Sequence, residues 1–589
     1  PIKEQLQRTF KHWIYPFRYS DFALVYCPLP EMEGTFFIVA IDFGTAYSGY
    51  CFIVKEDTSN IRNPHWGTEY GLRFYKTPTC ALFNEHEELV KFGFDAVMAY
   101  KKMSPTDASL FYFFENFKME LYNKSCLKNL QLKAKNGKYL PAMTVFSESL
   151  HYLKEHVLKM INNSSSDAVF SEDDITWVLT VPAIWRPDAK QFMRQAAKQG
   201  GLIDDINSEN LVLALEPEAA SLWCKQLSSS GFMVEGGTRA GGTHSILQNN
   251  PGIQYIVVDC GGGTIDITVH EVLKNGLLKE LQKASGGGWG GLSVDKNFTA
   301  FLRELFEGDV WETFEKEHPS ELQKMMYNIS VQKCTDKRED IFLPCVFSLG
   351  KLAEKKKDIS LYFQGIDGAS WSDGNIKISY KKLESFFKDS VTNVIEAIED
   401  IMQKPEIHID YILLVGGYAS SKILRDKVTS KFSGKCRVLC PIDSQLAIAK
   451  GAILFGISET FVSYKHDWKK RRVSAGNVVY CTDIFMKLVE RGQSVGQNES
   501  VEHFFKPIDG HQVQVLFSFF ATEKEKAEYT DEPGVNEVGS LIVPIPSNVV
   551  GVERRLKMDF KFGLTEIKAA VTDLHTNKTQ NITLNFMTD

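Results

Sequence analysis

The alternation of apolar and polar positions repeats itself at two distant places in the chain. From Phe36, the residues FFIVAIDFGTAYSGYCFIV pass from a β-branched apolar run through an aspartate and a Gly/Thr turn into a second alternating run. Residues 255–270, YIVVDCGGGTIDITVH, do the same. Each pattern predicts a β-hairpin with a tight loop of small residues. Two such hairpins, separated by strand and helix segments, predict two related lobes that each set one loop on a shared cleft.

Between the hairpins, ITWVLTVPAIW (Ile175 to Trp185) reads as a buried strand. The helix after it has Asp188 as its N-cap, Gly200 as its stop, and Phe192, Ala196 and Ala197 on its apolar face. LVLALEP forms a strand ending at Glu216 and Pro217, and AASLWCKQL starts another helix. The Gly-, Ser- and Asn-rich stretch from Ser228 to Gly252 predicts a surface loop. Ile409 to Gly417 is a strand running into a helix, and LAIAKGAILFG a closing helix.

Beyond about residue 457 the period changes to two. Leu556, Met558, Phe560 and Phe562 alternate with polar partners, and VQVLFSFF follows the turn pair Asp509-Gly510. A charged connector, KHDWKKRR (Lys465 to Arg472), precedes this β-rich region. Its basic cluster reads as a solvated linker before it reads as a nuclear-import or anionic-surface signal.

Composition narrows the class. A chain of 589 residues exceeds what one hydrophobic core supports, so several domains are expected. The net charge of -7 offers no footprint for a nucleic-acid backbone. No apolar run is long enough for a membrane span. The start of the chain mixes Phe10, Trp13, Tyr15 and Phe17 with Lys3, Arg8, Lys11 and Arg18, unlike a secretory signal, and reads as an accessory segment. Eleven irregularly spaced cysteines fit reduced cytoplasmic thiols rather than a disulfide framework. Cys436 and Cys440, with no second pair nearby, are packing residues on a short strand. Asn-x-Ser/Thr triplets, such as those headed by Asn162, Asn163 and Asn328, carry no weight without a signal.

The loops carry the chemistry. A phosphate tail needs converging backbone N–H groups, which glycine permits because it lacks a Cβ. Gly44, Thr45 and Ala46 supply them in the first hairpin, and Gly261, Gly262, Gly263 and Thr264 in the second. One such loop is a common structural turn; two facing loops are not. Asp42 and Asp259 each end an apolar strand, where an unpaired carboxylate is costly. A single one would be read as capping its own turn, whereas a matched pair fits magnesium neutralising β- and γ-phosphates. Val415-Gly416-Gly417-Tyr418-Ala419-Ser420 lets a flat base and its ribose lie against the backbone near a helix terminus. Lys118, in FFENFKMEL, either snorkels to water or faces phosphate.

The ordered set IDFGTAYSG, FKMEL, TVPAIW, EPEAA, VDCGGGTID, GGWGG and VGGYAS resembles the seventy-kilodalton heat-shock chaperones. FKMEL, TVPAIW…AKQFMRQAA and LEPEAAS are similar to their divergent member-twelve type (12A/12B). The resemblance implies an α/β fold: an actin-like ATPase domain of two duplicated lobes (ribonuclease H-like), followed by a smaller all-β domain. The expected plan is an accessory segment over 1–36, the nucleotide-binding domain over 37–457, a charged linker over 458–472 and the β-domain over 473–589.

By motif, the resemblance places ATP or ADP with magnesium in the cleft. It assigns Asp42 and Asp259 to the magnesium and its waters, and Gly44, Thr45, Ala46 and Tyr47 to the first phosphate loop. Lys118 would contact the γ-phosphate and attacking water, and Glu216 would orient metal-bound water. Gly261, Gly262, Gly263 and Thr264 would hold the β- and γ-phosphates, with Asp266 supporting the loop. Gly290 and Gly291 would lie near the ribose, and Gly416 and Gly417 near the adenosine.

Several positions depart from the family pattern. Ala46 replaces a threonine, and Ser420 the arginine that stacks on adenine. Of the base-binding helix, placed at Ser330, Lys333 and Cys334, only Lys333 is kept. The resemblance also implies a shortened peptide-gripping β-sandwich, with extended or unfolded peptides and co-chaperones as partners. The missing lid and the charged linker weigh against ATP-coupled trapping. The leading expectation is a cytoplasmic, chaperone-type protein that binds ATP and hydrolyses it slowly, with a nuclear location open through the basic cluster. A nucleotide-binding scaffold with little hydrolysis is the alternative. An actin-fold metabolite kinase is a remote one, disfavoured by the attached β-domain.

Overall fold

The computed structural model describes residues 35–457 except 123, 125–126, 164–168, 207, 209, 234–246, 248–249, 274–277, 335–337 and 406. Beyond these it describes residues 461–462, 473–475, 478–480, 500–505, 514–522, 535–544, 555–561 and 568–583. Most of the accessory segment, the charged connector, the Asp509-Gly510 turn, Phe562 and most of the 228–252 stretch lie outside the described residues. Within that last stretch, Ser229–Gly231 forms a 3-10 turn and Phe232–Met233 a short strand.

The first sheet is built on β1 (Phe37–Phe43) and β2 (Tyr47–Val54), an antiparallel hairpin edged by β3 (Asp57–Arg62) and β4 (Thr77–Pro78). On its other side β1 runs parallel to β5 (Ile175–Val181), which runs parallel to β6 (Leu211–Leu215). All seven residues of β1 and of β5 are buried, as expected where a parallel pair is covered on both faces. Val39, Ile41 and Phe43 face an outer core with α1 (Ala142–Asn163) and α2 (Pro187–Gln199). Ile38 and Ala40 point the other way, toward an inner core shared with α3 (Glu216–Gln226).

Two helix starts differ from the sequence reading. In α2 the proline at residue 187 occupies the first turn with Arg186 as N-cap, because its fixed φ and missing N–H suit that position. Asp188 is therefore inside the helix, its carboxylate accepting the Ala189 N–H at 2.9 Å. Gly200 does end the helix, and Phe192, Ala196 and Ala197 are buried on its inner face. In α3 the helix takes in Glu216 and Pro217, which puts the Glu216 carboxyl at the strand-to-helix junction.

The second sheet repeats the local plan. β7 (Phe232–Met233) lies at one edge; β8 (Gln254–Cys260) pairs antiparallel with β9 (Ile265–Val272), which pairs with β10 (Leu278–Gly287). β8 also runs parallel to β11 (Tyr411–Val415), and β11 to β12 (Arg437–Pro441). Ile256, Val258, Ile412 and Leu414 face an outer core with α4 (Gly291–Leu305), α5 (Pro319–Gln332), α6 (Tyr380–Met402) and α7 (Lys422–Phe432). Tyr255, Val257, Leu413 and Val415 join the inner core with α3 and α8 (Ala447–Ile457). The pair α3 and α8 thus contacts both sheets through one cluster.

All regular elements among the described residues from 473 onward are strands. Leu556, Met558 and Phe560 alternate inward in a four-stranded sheet and pack with Phe517, Phe519 and Val543 of a two-stranded ribbon. The described cysteines are free; Cys440 lies on β12 and Cys436 just before it. No helix among the described residues is long and apolar enough to cross a membrane.

The crossing of α8 on α3 has no room for a side chain at Gly451: a Cβ there would lie 1.6 Å from the Ala219 carbonyl oxygen. Gly451→Ala is expected to destabilise the protein by about 3 kcal/mol through this backbone overlap. A thermal melt that matches wild type would show that the two helices are not held in this contact.

Candidate functional site

The loops of the two hairpins, Gly44–Ala46 and Gly261–Thr264, meet at the mouth of a cleft of roughly 1360 Å³. They lie so close that a Cβ on Gly262 would come within 2.6 Å of the Ala46 Cβ. One on Gly263 would lie 2.2 Å from Met119 Sδ and 2.8 Å from Thr45 Oγ1. Glycine is needed at both positions by this approach rather than by backbone strain.

The first turn of α4 fastens the second loop. Gly290, Gly291 and Leu292 donate their N–H groups to the carbonyls of Gly263 (3.1 Å), Gly261 (3.1 Å) and Gly262 (2.8 Å). These are the donors a helix start leaves without intrahelical partners. The loop is tied down mainly by its carbonyl side; the Gly261 N–H, offered to phosphate by the sequence reading, is taken by the Thr264 carbonyl at 3.0 Å, and the N–H groups of Gly262, Gly263 and Thr264 are the ones left to meet an anion. Gly290 is therefore placed against the second glycine loop. Gly291 stands on the cleft wall, where a Cβ would be 3.4 Å from the Tyr418 ring.

Charge gathers at the roots of these loops. Lys118 Nζ donates to Glu216 Oε1 at 2.7 Å, and both groups are buried. The ammonium also sits 5.1 Å from the Trp185 ring centroid. Lys118 therefore does not snorkel to water. Asp42 is held by a lysine that the motif reading missed: Lys76 Nζ lies 2.6 Å from Asp42 Oδ2. Asp266 accepts the Ile184 N–H at 2.9 Å and the Thr264 hydroxyl at 3.1 Å. Asp259 Oδ1 is buried with no hydrogen-bond partner among the described residues.

Four carboxylates thus face two ammonium groups, an excess of two negative charges in a buried place. Burial, reinforced by Glu216, Asp266 and Asp42, pushes the Asp259 carboxyl well above the usual carboxylate range. Burial and then Glu216 push Asp266 up to about 7. Glu216 is also raised, because burial outweighs the pull of Lys118. Such a cluster calls for a cation or for protons. Oxygens of Glu216, Asp259 and Asp266 lie within 4.8 Å of one another, near enough to share one ion. The residues present fit a hard divalent cation such as magnesium. They gather around Asp259, with Asp42 turned onto Lys76, instead of forming the symmetrical Asp42–Asp259 pair expected from sequence.

Beside Asp259, Gly416 adopts φ +87°, and a Cβ there would strike Asp259 Oδ1 at 2.4 Å. Gly417 faces open space. Ser420 donates to the Gly417 carbonyl at 2.6 Å, and Lys333 Nζ is held by Asp295 Oδ2 (2.6 Å) and the Gly291 carbonyl (2.8 Å). Both groups that sequence reading offered to a base are engaged by their own chain. Arg425, on α7, donates to the carbonyls of Ala419 and Ser420 from beneath the loop. Tyr47 is half-buried on the cleft wall, and desolvation raises its phenol despite a hydrogen bond with Ser330 of α5.

A family model described as Hsp70 protein matches residues 38–589. The chain is 32% identical to Heat shock 70 kDa protein 12A of Mus musculus, over 95% of this chain and 93% of that protein. It is 32% identical to Heat shock 70 kDa protein 12B of Homo sapiens, over 95% and 92% respectively. Chaperone protein DnaK of Elusimicrobium minutum is 24% identical over 73% of this chain and 62% of its own length.

The buried Lys118–Glu216 pair is open to a double-mutant test. Lys118→Met should destabilise the protein by about 3–5 kcal/mol, since it strands a buried carboxylate. Adding Glu216→Gln should recover most of that loss. Additive denaturation energies for the two changes would mean that the groups do not interact.

Proposed function

This chain belongs to the Hsp70 family of nucleotide-binding proteins with the actin-like ATPase fold, and we propose that it binds ATP or ADP with magnesium in this cleft and hydrolyses ATP slowly. One observation carries the reading. Backbone N–H groups suited to an anion stand directly beside a buried excess of carboxylate suited to a cation. Such a site favours a ligand that brings both, as a metal-bound polyphosphate does.

In this reading the two sheets are the halves of a duplicated, ribonuclease H-like domain over 37–457. The N–H groups of Gly44, Thr45 and Ala46 bind phosphate oxygens from one side, and those of Gly262, Gly263 and Thr264 from the other. Asp259, Glu216 and Asp266 would hold the magnesium, and Asp42, paired with Lys76, would bear on its waters. The metal supplies neutralisation of the phosphate charge when bound. Lys118 donates to the γ-phosphate and the attacking water, while Glu216 accepts a hydrogen bond from water and aims it. The Thr264 N–H donates to the γ-phosphate, and Asp266 holds that residue in place by accepting its hydroxyl. Burial strengthens each of these interactions by excluding bulk water. Gly291, Gly416, Gly417, Lys333 and Ser420 border the nucleoside.

A second reading, a nucleotide-binding scaffold with little hydrolysis, is favoured by one specific observation. Lys118 is already committed to Glu216, and Lys333 and Ser420 to their own chain. For the region over 473–589, joined by the linker over 458–472, we propose a β-domain that takes extended apolar peptide, with co-chaperones as further partners. Its support is the cross-strand pair Leu516 and Ile542, exposed by 60% and 54% on the face of the ribbon away from its core.

ATP turnover and ADP binding by wild type and Lys118→Ala separate these readings. Slow hydrolysis is expected in wild type, falling at least about tenfold in Lys118→Ala, while ADP binding persists. Equal background rates with intact binding would leave the scaffold. Absence of nucleotide binding would remove both.

A further inference from the structure

Lys76 is outside every motif that points to the nucleotide, yet the fold builds a path for it. It immediately precedes β4, the short edge strand that pairs with Tyr47 and Ser48 of the first hairpin. The same segment clamps the first phosphate-type loop: Thr79 donates its hydroxyl to the Gly44 carbonyl at 2.7 Å and its N–H to the Ala46 carbonyl at 2.9 Å. The lysine stem crosses β2 over Gly49, where a Cβ would lie 2.9 Å from Lys76 Cγ and 3.1 Å from the Tyr75 carbonyl oxygen. Gly49 is the cross-strand partner of Asp42. The absence of a side chain at Gly49 therefore lets the ammonium reach the Asp42 carboxylate, 2.6 Å away and nearly buried.

The pair is part of the cleft and not merely of the core, since Lys76, Asp42, Gly44 and Thr45 all line it. Asp42 contributes no oxygen to the group of carboxylates that can share an ion, which comprises Glu216, Asp259 and Asp266. An ammonium carries three N–H donors, and the Asp42 contact uses one. The others are available to a phosphate oxygen held by the same loop.

We propose that Lys76 is a tethered cation at the first phosphate loop, standing in for metal at Asp42 so that nucleotide binding depends only weakly on divalent ions. The inference rests on the nucleotide-binding reading and adds a division of labour to it. Lys76 serves affinity for the phosphate tail, whereas Lys118 and Glu216 serve the water. Removing the divalent ion would then spare most binding while stopping hydrolysis.

The test is calorimetry of ADP with the full chain, in magnesium and in excess EDTA, on wild type, Lys76→Thr and Lys76→Arg. Wild type should lose no more than about tenfold in affinity on metal removal, and Lys76→Thr about a hundredfold or more. Lys76→Arg, which keeps the charge, should behave as wild type does. Thermal melts establish which variants are folded. If Lys76→Thr fails to fold, the wild-type ratio decides alone, and a loss of about a hundredfold in EDTA overturns the proposal. Equal metal dependence in wild type and Lys76→Thr overturns it too, while leaving nucleotide binding intact. No ADP binding by wild type even in magnesium overturns both the proposal and the reading beneath it.

Discussion

The structure turns on an imbalance of buried charge. Strands rich in β-branched residues deliver Asp42 and Asp259 to the same place, and the first turn of α3 adds Glu216. Among the described residues, Lys76 and Lys118 are the cations that oppose them at close range. Water cannot relieve the remainder, since Asp259 and Asp266 are nearly inaccessible. Folding alone would not tolerate such an excess without protonation. The cleft therefore has an affinity for positive charge built into it, and the glycine loops beside it have one for negative charge.

Much of the surrounding architecture keeps these groups in register. The inner helices α3 and α8 approach so closely at Gly451 that the distance between the two sheets has little freedom. Gly416 bends under the Asp259 carboxylate, and the start of α4 grips the second loop by three carbonyls. Movement of either sheet would shift a carboxylate relative to a glycine loop. Packing and electrostatics are thus one problem here, solved by small residues at the points of closest approach.

What sequence revealed and what it hid follow from range. The hairpins, the buried strands and the glycine loops were legible, because each is written in consecutive residues. Lys118 was legible as a motif lysine but ambiguous in role, since its partner Glu216 lies 98 residues away. Lys76 was invisible: its meaning depends on Gly49 and Asp42, residues from a hairpin packed beneath it. Asp188 was misplaced because the neighbouring proline set the helix start. Gly290 and Gly291 were recognised as a pair, but only the fold shows them donating to the second loop. The capture of Lys333 by Asp295, 38 residues away on α4, was not legible in the sequence.

Asp259 is the carboxylate of this cluster with an oxygen left without a hydrogen-bond partner among the described residues. Calorimetric titration of magnesium–ADP into wild type and Asp259→Asn tests its role directly. One binding site is expected in wild type, with a loss of affinity on removing the charge that matches the loss caused by removing magnesium, up to about tenfold. Equal affinity in the two proteins would contradict that role, because the buried carboxylate would then have no part in holding the metal-bound nucleotide.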